Sequence, residues 1–202
     1  MTRARDNPFA TDRVLRVRYR PQGWTWDSLL QRLAELDYRG AIVGPEGRGK
    51  TTLLEDFGGQ LQARGWAVKD LRLSSERPRF SRSFLREFFA SVGGRDVLLL
   101  DGAEQMGRFA WWDFLRRSRR ARGLVITSHR SGLLPTLVEC KTSAALLRGI
   151  VADLHRAAAV DDDCEGLFAR HGGNVREALR ELYHVHADGR QPLAERGCSR
   201  RG

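Results

Sequence analysis

Leu29, Leu30, Leu33 and Leu36 recur at three- and four-residue spacing, so they line one face of a helix, and Thr25 or Asp27 stands where its N-cap belongs. Ala41-Ile42-Val43 then reads as a short buried strand. A glycine-rich turn leads into a helix over 51–63, and strand character returns over 66–73 before Pro78 breaks the chain. Ser81 or Ser83 can cap the next helix, whose apolar face is Phe84, Leu85, Phe88, Phe89 and Val92. Val97-Leu98-Leu99-Leu100 is an unbroken apolar run, which predicts a strand covered on both faces. A helix over 109–120 and a strand Leu124-Val125-Ile126-Thr127 complete the alternation. Strands alternating with helices at these lengths predict an α/β fold, a mostly parallel sheet flanked by helices.

The pattern changes after about residue 143. Leu146, Leu147, Ile150, Val151 and Leu154 share one helical face. Val175, Ala178, Leu179, Leu182 and Tyr183 share another, behind Asn174 and Glu177 at the spacing of a capping pair. The expected organisation is a linker over 1–23, an α/β domain over 24–142, a helical subdomain over 143–188 and a basic tail over 189–202.

Composition narrows the class. With 41% hydrophobic residues in 202, a sizeable core can form. No apolar run reaches the roughly 18 residues of a membrane span, and Met1-Thr2-Arg3-Ala4-Arg5-Asp6 has no apolar stretch behind it, so a soluble, cytoplasmic chain is expected. Cys140, Cys164 and Cys198 are far apart and suggest neither a zinc cluster nor a disulfide framework. The net charge is +10, yet only Lys50, Lys69 and Lys141 among the 35 basic residues are lysines. Arginine-rich codon usage gives such a balance, so the charge alone assigns no partner. A lysine in a special place is all the more notable.

Lys50 is in such a place. Gly44-Pro45-Glu46-Gly47-Arg48-Gly49-Lys50-Thr51 fits Gly-x-x-x-x-Gly-Lys-[Ser/Thr], the phosphate-binding loop or Walker A motif. Its glycines leave room for backbone N–H groups to turn toward a polyphosphate, and the helix opening at Lys50, Thr51 and Thr52 adds unpaired N–H groups. Lys50 supplies a charge for the β- and γ-phosphates, and the Thr51 hydroxyl is placed to ligate Mg2+. Asp101, at the end of the Val97–Leu100 strand, has the form of Walker B and is the second expected ligand of the metal.

From about Gly40 to Val185 the sequence resembles the AAA+ and related P-loop ATPases, and it looks like small bacterial ATP-binding proteins of that group. The resemblance implies a strand order 5-1-4-3-2 and a C-terminal helical lid. It also implies ATP and Mg2+ as cofactors, and hydrolysis at Lys50 and Asp101. Many members follow the Walker B aspartate directly with a glutamate that polarises the attacking water. Here Gly102-Ala103-Glu104 follows instead, which makes Glu104 the candidate base. Thr127 and Ser128 fall where the family carries a polar sensor, with His129 beside them. Arg176, opening the helix after Gly172-Gly173-Asn174, falls where a second sensor arginine belongs.

Three functions stay open: an ATPase that couples nucleotide state to lid or subunit motion, a nucleotide-dependent switch with little hydrolysis, and a small-molecule kinase. The partner is unnamed by the sequence, whether another protein or further copies of the chain. The basic run Arg116-Arg117-Ser118-Arg119-Arg120-Ala121-Arg122, behind Trp111-Trp112-Phe114, admits three readings. They are a nucleic-acid contact, an arginine supplied to a neighbouring subunit, or a solvated helix end with its aromatics in the core.

Overall fold

The computed structural model describes residues 7–9, 23–76, 78–155 and 163–187. The proposed tail over 189–202, Cys198 and most of the proposed linker lie outside them. The chain divides into two compact units, one carrying residues 23–140 and the other residues 7–9 and 141–187. Among the described residues no helix is long and apolar enough to cross a membrane.

The larger unit alternates helix and strand: α1 (Trp26–Glu35), β1 (Arg39–Val43), α2 (Lys50–Ala63), β2 (Ala67–Arg72), α3 (Arg82–Ala90), β3 (Asp96–Asp101), a 3-10 turn (Ala103–Gln105), α4 (Arg108–Ser118), β4 (Gly123–Ser128) and β5 (Thr136–Glu139). The five strands form one parallel sheet in the order β2-β3-β4-β1-β5, the expected order read from its other edge. Central position explains the apolar runs: every residue of β4 is buried, as are Asp96–Leu100 of β3, because helices cover both faces. Edge strand β2 instead mixes Lys69, Asp70 and Arg72 with Leu71, the polar content that discourages pairing with another chain.

One face of the sheet packs against α1 and α2 through Leu29, Leu33, Leu53 and Phe57; the other packs against α3 and α4 through Phe89 and Phe114. Capping residues set the helix starts. Thr25, rather than Asp27, caps α1 by accepting from the Ser28 N–H, while the Ser28 hydroxyl accepts from the Thr25 N–H. Ser81, rather than Ser83, caps α3.

The smaller unit holds α5 (Ala144–His155), α6 (Cys164–Arg170) and α7 (Val175–Ala187). Leu147, Val151, Leu167, Ala178, Leu179 and Leu182 form its core. Phe9 is buried in that core, and Asn7 Nδ2 donates to the Tyr183 carbonyl at 2.8 Å, so these two residues pack with the helices. Asn174 accepts from the Glu177 N–H at 3.2 Å and starts α7.

Candidate functional site

The loop between β1 and α2 is built for backbone exposure. Gly47 and Gly49 take φ of 71° and 80°, the left-handed region that a side chain resists. A Cβ on Gly44 would lie 2.8 Å from the Cys140 carbonyl oxygen, so a side chain there cannot fit without moving β5's end. Gly49 is the N-cap of α2 and offers no side-chain oxygen, which leaves the first N–H groups of the helix unclaimed by a cap. Pro45 and Glu46 are exposed on the outer curve, and Arg48 is half-buried.

Lys50 begins α2 with its side chain folded back, donating from Nζ to the Pro45 carbonyl at 2.8 Å. Burial holds its ammonium below the usual lysine range; Glu104, Cys140, Asp101 and Glu46 oppose that shift. A cation short of solvent and held by a single carbonyl is poised for a polyanion.

Asp101, at the tip of β3, collects the polar groups of three neighbouring elements. The Thr51 hydroxyl lies 3.0 and 3.2 Å from its two oxygens. The Thr127 hydroxyl donates to Oδ1 at 2.6 Å and accepts from the Gly102 N–H at 2.8 Å. Arg72 Nε donates to Oδ2 at 3.0 Å, and the other arm of that guanidinium meets Glu55 at 3.0 Å. A hydroxyl beside a carboxylate is the all-oxygen donor set that Mg2+ accepts, its remaining positions going to water and phosphate. Beside it, between α2 and β2, lies a cavity of about 400 Å³ lined in part by Thr51, Glu55, Gly58, Asp70, Arg72 and Asp101. Burial pushes the Asp70 carboxyl up.

Glu104 sits in the 3-10 turn after β3. Its Oε1 is 3.1 Å from His129 Nε2, and its Oε2 is buried with no hydrogen-bond partner. Such an oxygen is costly unless a donor arrives. The Glu104 carboxylate favours the charged form of Lys50, against the effect of burial.

The structure therefore gathers Lys50, Thr51, Asp101, Glu104 and Thr127 at one end of the sheet. Thr52 lies in the same first turn of α2. Ser128 is buried, but its hydroxyl is engaged with the Arg130 backbone, donating to the carbonyl at 2.8 Å and accepting from the N–H at 3.3 Å. Arg176 is exposed on the first turn of α7, in the other unit. Arg72, Glu55 and the His129 contact escape a reading of the sequence as functional neighbours. Arg72 meets Asp101 because β2 and β3 pair in register there, and no local pattern reveals that.

A parallel sheet of this order, with a glycine loop after its β1 strand and a carboxylate tipping its β3 strand, is the fold of the AAA+ P-loop NTPases. Among solved structures, the chain is similar to the Thermotoga maritima RuvB Holliday junction branch migration motor. The identity is 19% and the TM-score 0.56, over 83% of this chain and 63% of that one. It is also similar to AMPPCP-bound DnaA from Aquifex aeolicus, at 17% identity and TM-score 0.57, over 84% of this chain and 62% of that one. The chain thus spans less than two thirds of the length of either. No protein-family model and no curated protein sequence matches it.

Proposed function

We propose that this protein binds ATP with Mg2+ and hydrolyses it, using the change in nucleotide state to move its helical unit or a neighbouring subunit. The observation that carries this reading is the meeting of Lys50, the Thr51 hydroxyl and the Asp101 carboxylate at the ends of α2 and β3. Phosphoryl transfer to water needs positioning and charge neutralisation above all. The loop N–H groups grip the phosphates, and Lys50 leaves the Pro45 carbonyl for the β- and γ-phosphates. Thr51 and Asp101 hold Mg2+, which when bound neutralises charge on those phosphates. Thr127 fixes the rotamer of Asp101 and, through the Gly102 N–H, ties it to the turn bearing Glu104. Glu104 takes the proton of the attacking water once its Oε2 has a donor. Arg176 is assigned the second sensor role on the resemblance alone. Further copies of the chain or another protein receive the motion.

A second reading, a switch that hydrolyses little, is favoured by the contact of His129 with Glu104, which occupies the candidate base. Equilibrium ATP binding and phosphate release on two variants separate the cases. Lys50→Ala should abolish ATP binding with the circular dichroism spectrum unchanged, and retained affinity would overturn the site. Glu104→Gln should keep ATP affinity and lose turnover by about 100-fold or more, as expected for a lost general base. Unchanged, slow turnover would instead favour the switch.

A further inference from the structure

The sheet face opposite the phosphate-loop helix α2 carries an unexplained surface. Helices α3 and α4 lie side by side there, joined through the edge-on contact of Phe89 and Phe114 at 5.4 Å between ring centres. Their outward sides carry rings where solvent-facing helices normally carry polar groups. Phe109 is 92% exposed, Trp112 66% and Phe84 43%, three of the four large apolar side chains exposed among the described residues. Phe84 is the middle of a stacked row with Phe80 and Phe88, at 5.4 and 6.1 Å.

Spacing groups these rings with cations. Phe109, Trp112, Arg116 and Arg119 or Arg120 follow one another at three- and four-residue steps, so they form one stripe along α4 and its end. On α3, Arg82 and Arg86 are four residues apart and share a face with each other, but each is two residues from Phe84 and so lies off the face that carries that ring. Over residues 79–90 and 108–120 there are eight arginines against two carboxylates, Glu87 and Asp113. Asp113 is already engaged by Arg116 and Arg117.

We infer that the α3–α4 face binds single-stranded nucleic acid, with bases stacking on Phe109 and Trp112 and phosphates meeting Arg108, Arg116, Arg119 and Arg120. Alternating π-faces and guanidinium groups suit a strand whose bases are unpaired; a duplex hides its base faces and an acidic polypeptide has none. The two other aromatics of the run are committed elsewhere, Phe114 to the core and Trp111 to a ring contact with Phe114 at 6.1 Å. The surface stands apart from the Lys50–Asp101 site, so it holds whether or not ATP is hydrolysed.

The test is fluorescence anisotropy of a labelled oligo-dT against the full chain at low and moderate salt, with unlabelled duplex DNA, poly-glutamate and anionic lipid vesicles as competitors. Oligo-dT should bind with a logarithmic salt slope near −0.7 per phosphate contact, as found for single strands. Phe109→Ala or Trp112→Ala should weaken binding by about 5- to 100-fold each, the range of one lost base stack. Arg119→Ala with Arg120→Ala should flatten the salt slope. Both rings are exposed, so these variants should keep the parent melting temperature, and Lys50→Ala should bind oligo-dT normally. Absence of binding at low salt overturns the inference. So does binding indifferent to both ring substitutions, or competition by poly-glutamate, duplex or vesicles as strong as by oligo-dT.

Discussion

Arg72 occupies one oxygen of Asp101 that a divalent cation would also seek. Both charges are within reach of water, so the pair is worth little in stability. Its effect is competition. Removing the guanidinium by Arg72→Ala should lower the Mn2+ concentration that half-saturates the protein in the presence of nucleotide, by about two- to fivefold, read by electron paramagnetic resonance. An unchanged or higher requirement would show that Arg72 supports the metal instead. Lys50 adds a pH signature. Burial lowers the pKa of the unliganded lysine, and a triphosphate favours the protonated form, so binding takes up a proton. ATP affinity should therefore begin to fall as pH rises through that lowered pKa, before an ordinary lysine near 10.5 would titrate. Titration calorimetry of ATP binding in buffers of different ionisation enthalpy should register that proton uptake, and its absence across the range would overturn the assignment.

The helices and strands of the larger unit were largely legible because their patterns are local. Thr25 shows the point: its capping role follows from its place before an amphipathic run, and Thr25→Ala should cost about 1 kcal/mol, measured by urea unfolding. The strand Thr136–Glu139 was not legible as an element, since four residues with one interior apolar pair carry too little period. Nor was the seven-residue helix Cys164–Arg170, whose Asp163 cap is clear once its partner Gly166 N–H is seen at 2.8 Å. At the site, the phosphate loop and Asp101 announced themselves by spacing. Contacts that depend on strand register or on loop closure, Arg72 with Asp101 and His129 with Glu104, did not. The aromatic run split for the same reason: helical phase sends Phe114 inward and Trp112 outward, and Phe109 joins Trp112 only once the helix start at Arg108 is known.

Across the molecule, stability rests on separate cores in the two units, and each should respond to its own perturbation. Phe114 is fully buried against Phe89 and Trp111, so Phe114→Ala should cost about 3–5 kcal/mol in the larger unit. In the helical unit, hydrogen bonds from His171 and Arg170 hold the Glu181 carboxyl below its usual range. A depressed carboxylate contributes stability that is fully present above its unfolded value near 4.5 and is lost as pH falls through the lower folded value. Thermal melts of the wild type and Glu181→Gln should therefore differ at neutral pH and converge in acid.

The tip of β3 is also sewn to the strand beside it. The Leu73 N–H donates to the Asp101 carbonyl at 2.9 Å, and a Cβ on Gly102 would sit 2.6 Å from the Leu73 carbonyl oxygen. With no slack at that seam, whatever tugs on the aspartate drags the start of the 73–81 connection along with it. Deuterium uptake at the Leu73 amide would then act as a gauge of nucleotide occupancy, readable from a stretch of backbone that touches no phosphate.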